Sequence, residues 1–254
     1  MPPSLKARLK GGETLVGTLA TLPSPEIAEI MALVGFDYVW IETEHAPTDF
    51  VQAQMMIQAV GNRCPCLVRI VENRESWIKK ALDTGCSGIV VPLIKSAAEA
   101  KSAVDWCLYP PAGKRSVGIG RAHDYGMSFQ DYMKRANDEI VVVIQVEHRA
   151  AVDNIEAILA VSGIDAVFIG PYDLSASFDM PGEISHPQVQ QAIDAVKRRC
   201  DKAGIPAGIF TTDSRAARQY IEDGFRLIAL GLDSIYLWSA AKAALHAVRG
   251  DALH

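Results

Sequence analysis

Four apolar segments of this chain end in side chains that can stabilise negative charge or move protons. YVWIE at 38–42 runs into Glu44 and His45, and PCLVRI at 65–70 carries Arg69. IVVVIQVE at 140–147 finishes on Gln145 and Glu147, and the segment 165–169 leads into Gly170, Pro171, Tyr172 and Asp173. Carboxylates at buried strand ends are costly unless they are paired or bound to a cation. Glu147 and Asp173 are therefore either ligands of one hard divalent ion or partners of a barrel arginine. Arg69, a permanent cation, either pairs with Glu147 or holds a substrate carboxylate or developing enolate oxygen. Gln145 lies two residues before Glu147, so the two share a side of their strand. His45, flanked by Glu42 and Glu44, reads either as a general base oriented by one carboxylate or as a solvated helix cap.

Other residues fit chemistry less well. Lys95 follows a strand and could form a Schiff base, but no neighbour in sequence would lower its pKa, and a surface lysine is the simpler reading. His148 should point away from Glu147, towards the helices. Arg121 and His123 sit in a long insertion from which they could reach a site. Trp40 reads as core. Gly170 and Gly231 follow strands at positions where barrels bind phosphate, a weak signal because glycine is common in such loops.

Segments this apolar predict strands buried on both faces of a parallel sheet. They fall near 14–20, 38–42, 65–70, 88–92, 140–146, 165–169, 206–210 and 227–231. Helices alternate with them near 24–33, 49–60, 75–84, 96–107, 149–160, 187–203, 213–223 and 234–248. Eight βα units in a chain of 254 residues predict one α/β domain over 1–254, a (β/α)8 TIM barrel with its chemistry at the C-terminal ends of the strands. Glycines at 35, 85, 163 and 224 each precede an apolar strand, as helix-stopping residues would. Two insertions, 108–138 and 176–186, break the rhythm. Both are expected on the active-site face, with a helix at 127–137 and the glycine-rich stretch 113–120 as a lid or subunit contact.

Composition narrows the function. The chain is 49% hydrophobic and 22% charged, with a net charge of −5 and no basic block, which argues against nucleic-acid binding. Neither an apolar signal core nor a run near the ~20 residues of a membrane span is present. Five cysteines without a metal-binding pattern fit a reducing, cytoplasmic setting, with Cys64 and Cys66 as packing residues.

In combination, ETEHAP (42–47), LVRI (67–70), YPPAGKRSVG (109–118), IQVE (144–147) and IGPYDLSAS (169–177) resemble the HpcH/HpaI aldolases across essentially the whole chain. These are metal-dependent class II pyruvate aldolases of the 4-hydroxy-2-oxoheptanedioate and 2-keto-3-deoxy-sugar-acid type. The resemblance implies Glu147 and Asp173 as ligands of Mg²⁺, Mn²⁺ or Co²⁺, and Arg69 as stabiliser of a pyruvate or hydroxypyruvate enolate. It implies Gln145 and Tyr172 in the substrate site, with backbone amides near Tyr172 and Asp173 supporting the carboxylate. His45 and the acid at 42 would manage the proton of the aldol hydroxyl. The (β/α)8 barrel would exchange its last helix between subunits of a hexamer, a trimer of dimers. Two departures stand out. Many relatives have aspartate where Glu42 stands, and many have tryptophan near the end of the first strand, where this chain offers Leu19. Rival readings are oxaloacetate decarboxylation or macrophomate-synthase-like bond formation on the same enolate, a Schiff-base aldolase, and a non-catalytic barrel that binds a 2-oxo acid.

Overall fold

A computed structural model describes residues 3–250. Eight strands, β1 (Leu15–Ala20), β2 (Tyr38–Glu42), β3 (Cys66–Arg69), β4 (Gly88–Val91), β5 (Val141–Val146), β6 (Ala166–Ile169), β7 (Ala207–Thr211) and β8 (Leu227–Leu232), pair in parallel in chain order. β8 pairs with β1, so the sheet closes into the expected (β/α)8 barrel.

Strand alternation divides the apolar side chains between two cores. Leu19, Tyr38, Trp40, Leu67, Val90, Val143 and Phe168 point inwards and fill the barrel. Val39, Ile41, Val68, Ile89, Val142, Ile144, Val167 and Ile209 point outwards and pack beneath the helices. This double burial is why the strands read as continuous apolar runs. Each fully buried aliphatic side chain contributes about 1.5–3 kcal/mol relative to exposure, so a one-residue slip of any strand would be strongly disfavoured. Helices begin on side chains that accept a first-turn amide, among them Ser24, Asp49, Ser96 and Asp213. The four glycines that precede strands all adopt left-handed backbone, with φ between 84° at Gly85 and 99° at Gly35 and Gly163.

The structure corrects the sequence reading at several points. A helix at Leu5–Lys10 was not foreseen; its Leu5 and Leu9 join the inner core and close the N-terminal end of the barrel. Beside them Lys6, buried, meets Asp165 at 3.0 Å. The helix expected over 149–160 is two, Arg149–Asp153 and Ile155–Leu159, interrupted at Asn154. The insertion 108–138 lies at the end opposite the mouth. It follows the helix Ala97–Cys107 and precedes β5, and helix-to-strand connections return to the N-terminal ends of strands. Its Arg115 bonds Asp83 and its Arg121 bonds the Thr84 carbonyl, both at 2.8 Å, so 113–120 is no lid over the active-site face. The helix within it spans Phe129–Glu139.

The final helix, Asp233–Arg249, buries only Asp233 fully and leaves Leu237, Trp238, Leu245 and Val248 exposed. Among the described residues no helix is long and apolar enough to cross a membrane.

Candidate active site

Inward alternation selects the site. On β2 it runs Tyr38, Trp40, Glu42; on β3 Leu67, Arg69; on β5 Val141, Val143, Gln145. The last inward position of each strand is polar, and the register sets Glu42 beside Arg69. Glu147 continues the same alternation just past β5 and is buried.

These four side chains form one hydrogen-bonded chain across the mouth. Glu42 Oε2 accepts from Arg69 Nε at 2.6 Å and lies 2.6 Å from Nη2. Arg69 Nη1 donates to Gln145 Oε1 at 3.4 Å, and Gln145 Nε2 donates to Glu147 Oε2. Glu147 Oε1 accepts the Leu93 amide at 2.7 Å, from a residue held at φ 56°. Gly170 makes this packing possible, since a Cβ there would sit 2.9 Å from Glu147 Oε2. Trp40 lies below, its ring 5.6 Å from the guanidinium carbon of Arg69 and packed edge-on against Phe168.

Asp173 occupies a different position from the buried strand end anticipated. β6 stops at Ile169, and Asp173 stands in the first turn of a short helix, Pro171–Ser177, exposed at the rim. Tyr172 is exposed beside it. The His45 ring is also at the rim, with 64% of its side chain exposed. Its nearest carboxylate is Glu44, at 3.7 Å, whereas Glu42 accepts the His45 backbone amide at 3.0 Å.

The electrostatics are unbalanced. Burial raises the Glu147 carboxyl to about 7; the Leu93 amide opposes this, Asp173 and Glu44 add to it, and Arg69 opposes it. Burial likewise raises Glu44 to about 7, opposed by Arg69 and reinforced by Glu42 and Asp173. Four carboxylates thus share one guanidinium, which Glu42 already holds. Such a crowding of carboxyl groups, three of them largely buried, fits a divalent cation. Asp173 is near enough to Glu147 to raise its carboxyl, and the two could offer oxygen donors to one ion. Among the described residues no group of three or more His, Cys, Asp or Glu side chains forms a metal cage. An ion here would rest on two protein carboxylates and draw its other oxygens from water and substrate, as Mg²⁺ and Mn²⁺ accept.

A cavity of about 230 Å³ opens over this layer. Glu42, His45, Arg69, Gln145, Tyr172 and Asp173 supply its polar side, while Leu19, Trp40, Phe168, Phe210 and Leu232 supply an apolar wall. Of the apolar lining only Leu19 stood out in the sequence, because floor residues and core residues share one inward alternation. Lys95 does not line the cavity. His148 caps the following helix, its Nδ1 accepting the Ala150 amide at 3.1 Å. His123 is fully buried against Tyr109 and Tyr132 at the far end.

A (β/α)8 barrel that gathers acids and one arginine at its C-terminal mouth has the layout of a barrel enzyme's active site. The description HpcH/HpaI aldolase/citrate lyase matches residues 17–240, and the chain belongs to that family. It is 40% identical over 240 residues to a hydroxypyruvate/pyruvate aldolase of Sagittula stellata, covering 94% of each chain. It is 39% identical to a 2-keto-3-deoxy-L-rhamnonate aldolase of Klebsiella pneumoniae, covering 97% of this chain and 93% of the relative. The crystal structure of an HpcH/HpaI aldolase/citrate lyase family protein from Burkholderia cenocepacia superimposes with a TM-score of 0.93 at 37% identity, covering 97% of this chain and 99% of that one. The enzyme is a carbon–carbon lyase of the aldehyde-lyase class.

Proposed function

We propose that the enzyme is a metal-dependent class II aldolase that reversibly cleaves 4-hydroxy-2-oxo acids to pyruvate, or hydroxypyruvate, and an aldehyde. The observation that carries this reading is the unbalanced carboxylate cluster of Glu44, Glu147 and Asp173 beside the single guanidinium of Arg69. Relatives named as aldolases of pyruvate, hydroxypyruvate and keto-deoxy acids support it.

A divalent ion held by Glu147 and Asp173 would supply Lewis acidity towards the keto oxygen. Arg69 binds the developing enolate oxygen from the barrel side. Its orientation is held by Glu42 on one edge and Gln145 on the other, so little reorganisation accompanies the charge shift. Gln145 also keeps Glu147 aimed at the mouth. Tyr172 and Asp173 lie in the first turn of the helix Pro171–Ser177, whose free amides can donate to the substrate carboxylate. His45, at the rim, moves the proton of the aldol hydroxyl, where water and aldehyde arrive. The apolar wall of Leu19, Phe210 and Leu232 shapes the acceptor pocket.

The exposed apolar side chains of the final helix support its exchange between subunits of a hexamer. The catalytic reading is tested by deuterium exchange into the pyruvate methyl group, with and without chelator, followed by condensation with an aldehyde panel. Metal-dependent exchange and at least one condensation product are expected. Exchange that survives chelation, together with borohydride trapping of pyruvate on the protein, would establish a Schiff-base route instead.

A further inference from the structure

We propose that Glu44, rather than Glu42, is the carboxylate that positions the His45 imidazole for proton transfer. The inference rests on the aldolase reading above and assigns a role within that site.

Both oxygens of Glu42 are committed. Oε1 accepts the backbone amides of Glu44 at 2.7 Å and His45 at 3.0 Å. Oε2 accepts Arg69 Nε at 2.6 Å and faces Nη2 at the same distance. The longer side chain of glutamate, compared with aspartate, lets one carboxylate span these partners. Its role is to hold Arg69 and to curl the chain after β2.

Glu44 differs. Its side chain is only 10% exposed, and its Oε2 is buried without a hydrogen-bond partner. Arg69 Nε lies 3.2 Å from that oxygen, but its hydrogen is directed at Glu42, so the arginine lends charge and no hydrogen bond. A buried acceptor left unmade costs about 1–3 kcal/mol. His45 Nε2 stands 3.7 Å away on an exposed ring, and a movement of under about 1 Å completes the bond. Nε2–H on Glu44 leaves Nδ1 as the proton acceptor. In cleavage Nδ1 takes the C4 hydroxyl proton. The C3–C4 bond breaks, its electron pair forms the C2–C3 double bond as the C2 carbonyl pair moves onto the enolate oxygen, and the C4 oxygen becomes the aldehyde carbonyl. The enolate then takes a proton from water at C3 to give pyruvate, and the imidazolium returns its proton to solvent. Condensation reverses each step.

The test separates two partial reactions in the metal-loaded enzyme: deuterium exchange into pyruvate, which does not need the aldol-hydroxyl proton, and condensation with the best aldehyde of the panel, which does. Glu44→Gln is expected to slow condensation about 30-fold while exchange falls by less than about threefold. The Glu44→Gln/His45→Ala double variant should be within about twofold of His45→Ala, because two residues acting as one unit are not additive. Glu44→Asp should recover part of the loss. Unchanged condensation in Glu44→Gln would overturn the assignment. So would multiplied losses in the double variant, or an equal fall in exchange, which would make Glu44 a partner of Arg69 alone. A wild-type enzyme that shows no metal-dependent exchange would instead reject the aldolase reading itself.

Discussion

The two ends of the barrel each bury an arginine, and its company differs. At the N-terminal end Arg115 lies between tyrosines, its guanidinium carbon 4.5 Å from the Tyr109 ring centroid and 5.8 Å from that of Tyr132. It bonds one acid, Asp83, at 2.8 Å and the Tyr132 hydroxyl at 3.2 Å. At the mouth Arg69 lies within 3.2 Å of two acids, with Glu147 and Asp173 close enough to perturb their neighbours. One cation per acid, stacked and enclosed, holds a loop in place. One cation among four acids leaves unfavourable charge that a dication can relieve. Burial of an arginine therefore says little by itself; charge balance separates scaffold from site.

The largest effect should come from removing charge at the mouth. Glu147→Gln is expected to lower metal-supported kcat/KM by more than about 10³-fold, measured by steady-state kinetics at saturating Mn²⁺. Retained turnover with full metal occupancy would break the contrast between the two ends.

The same conservative substitution then sharpens it. Arg69→Lys keeps the charge but loses the planar fork, and kcat should fall about 10²-fold with Tm within about 2 °C of wild type. Arg115→Lys should lower Tm by about 5–8 °C, from the loss of stacking and hydrogen bonds worth about 2 kcal/mol, with kcat per folded molecule unchanged. Calorimetry beside kinetics reads both. Similar profiles for the two variants would erase the distinction.

Titration gives a smaller effect. Glu44 and Glu147 titrate near 7 in the folded protein, against a usual value of 4.5. A raised carboxyl pKa means that the folded state binds the proton more tightly. Its stabilisation is complete below the unfolded value and is lost as pH rises through about 7. The Tm of metal-free enzyme should therefore fall on the order of 5 °C between pH 5 and pH 7.5, relative to Glu147→Gln. Saturating dication should flatten the slope. An identical slope in the variant would show that Glu147 does not carry it.

The smallest effect concerns Leu93, whose left-handed backbone presents its amide to Glu147. Leu93→Gly should relieve about 1 kcal/mol of strain and keep the donor, leaving kcat within about twofold and Tm within about 2 °C. A large loss of kcat would assign the Leu93 side chain a role in the substrate pocket.

Much of this architecture was legible in order along the chain. The apolar runs marked all eight strands, and the glycines at 35, 85, 163 and 224 marked helix ends that are left-handed in the structure. The polar strand ends drew attention to Glu42, His45, Arg69, Gln145, Glu147 and Asp173, and all six lie at the mouth. The insertion 108–138 was misplaced because its end of the barrel depends on whether it follows a strand or a helix. Its glycines and charges resemble those of a functional loop in either position.

The sequence alone determined the repeating units, the strand alternation and the kinds of polar residue that end the strands, because these follow from local periodicity and backbone preference. Only the tertiary structure decided which partner each polar atom meets. Glu42 and Glu44 are two residues apart and chemically alike, yet one is saturated by Arg69 and two amides while the other keeps an oxygen free. That difference arises from closing the barrel, which brings β3 against β2 and leaves one guanidinium for two acids.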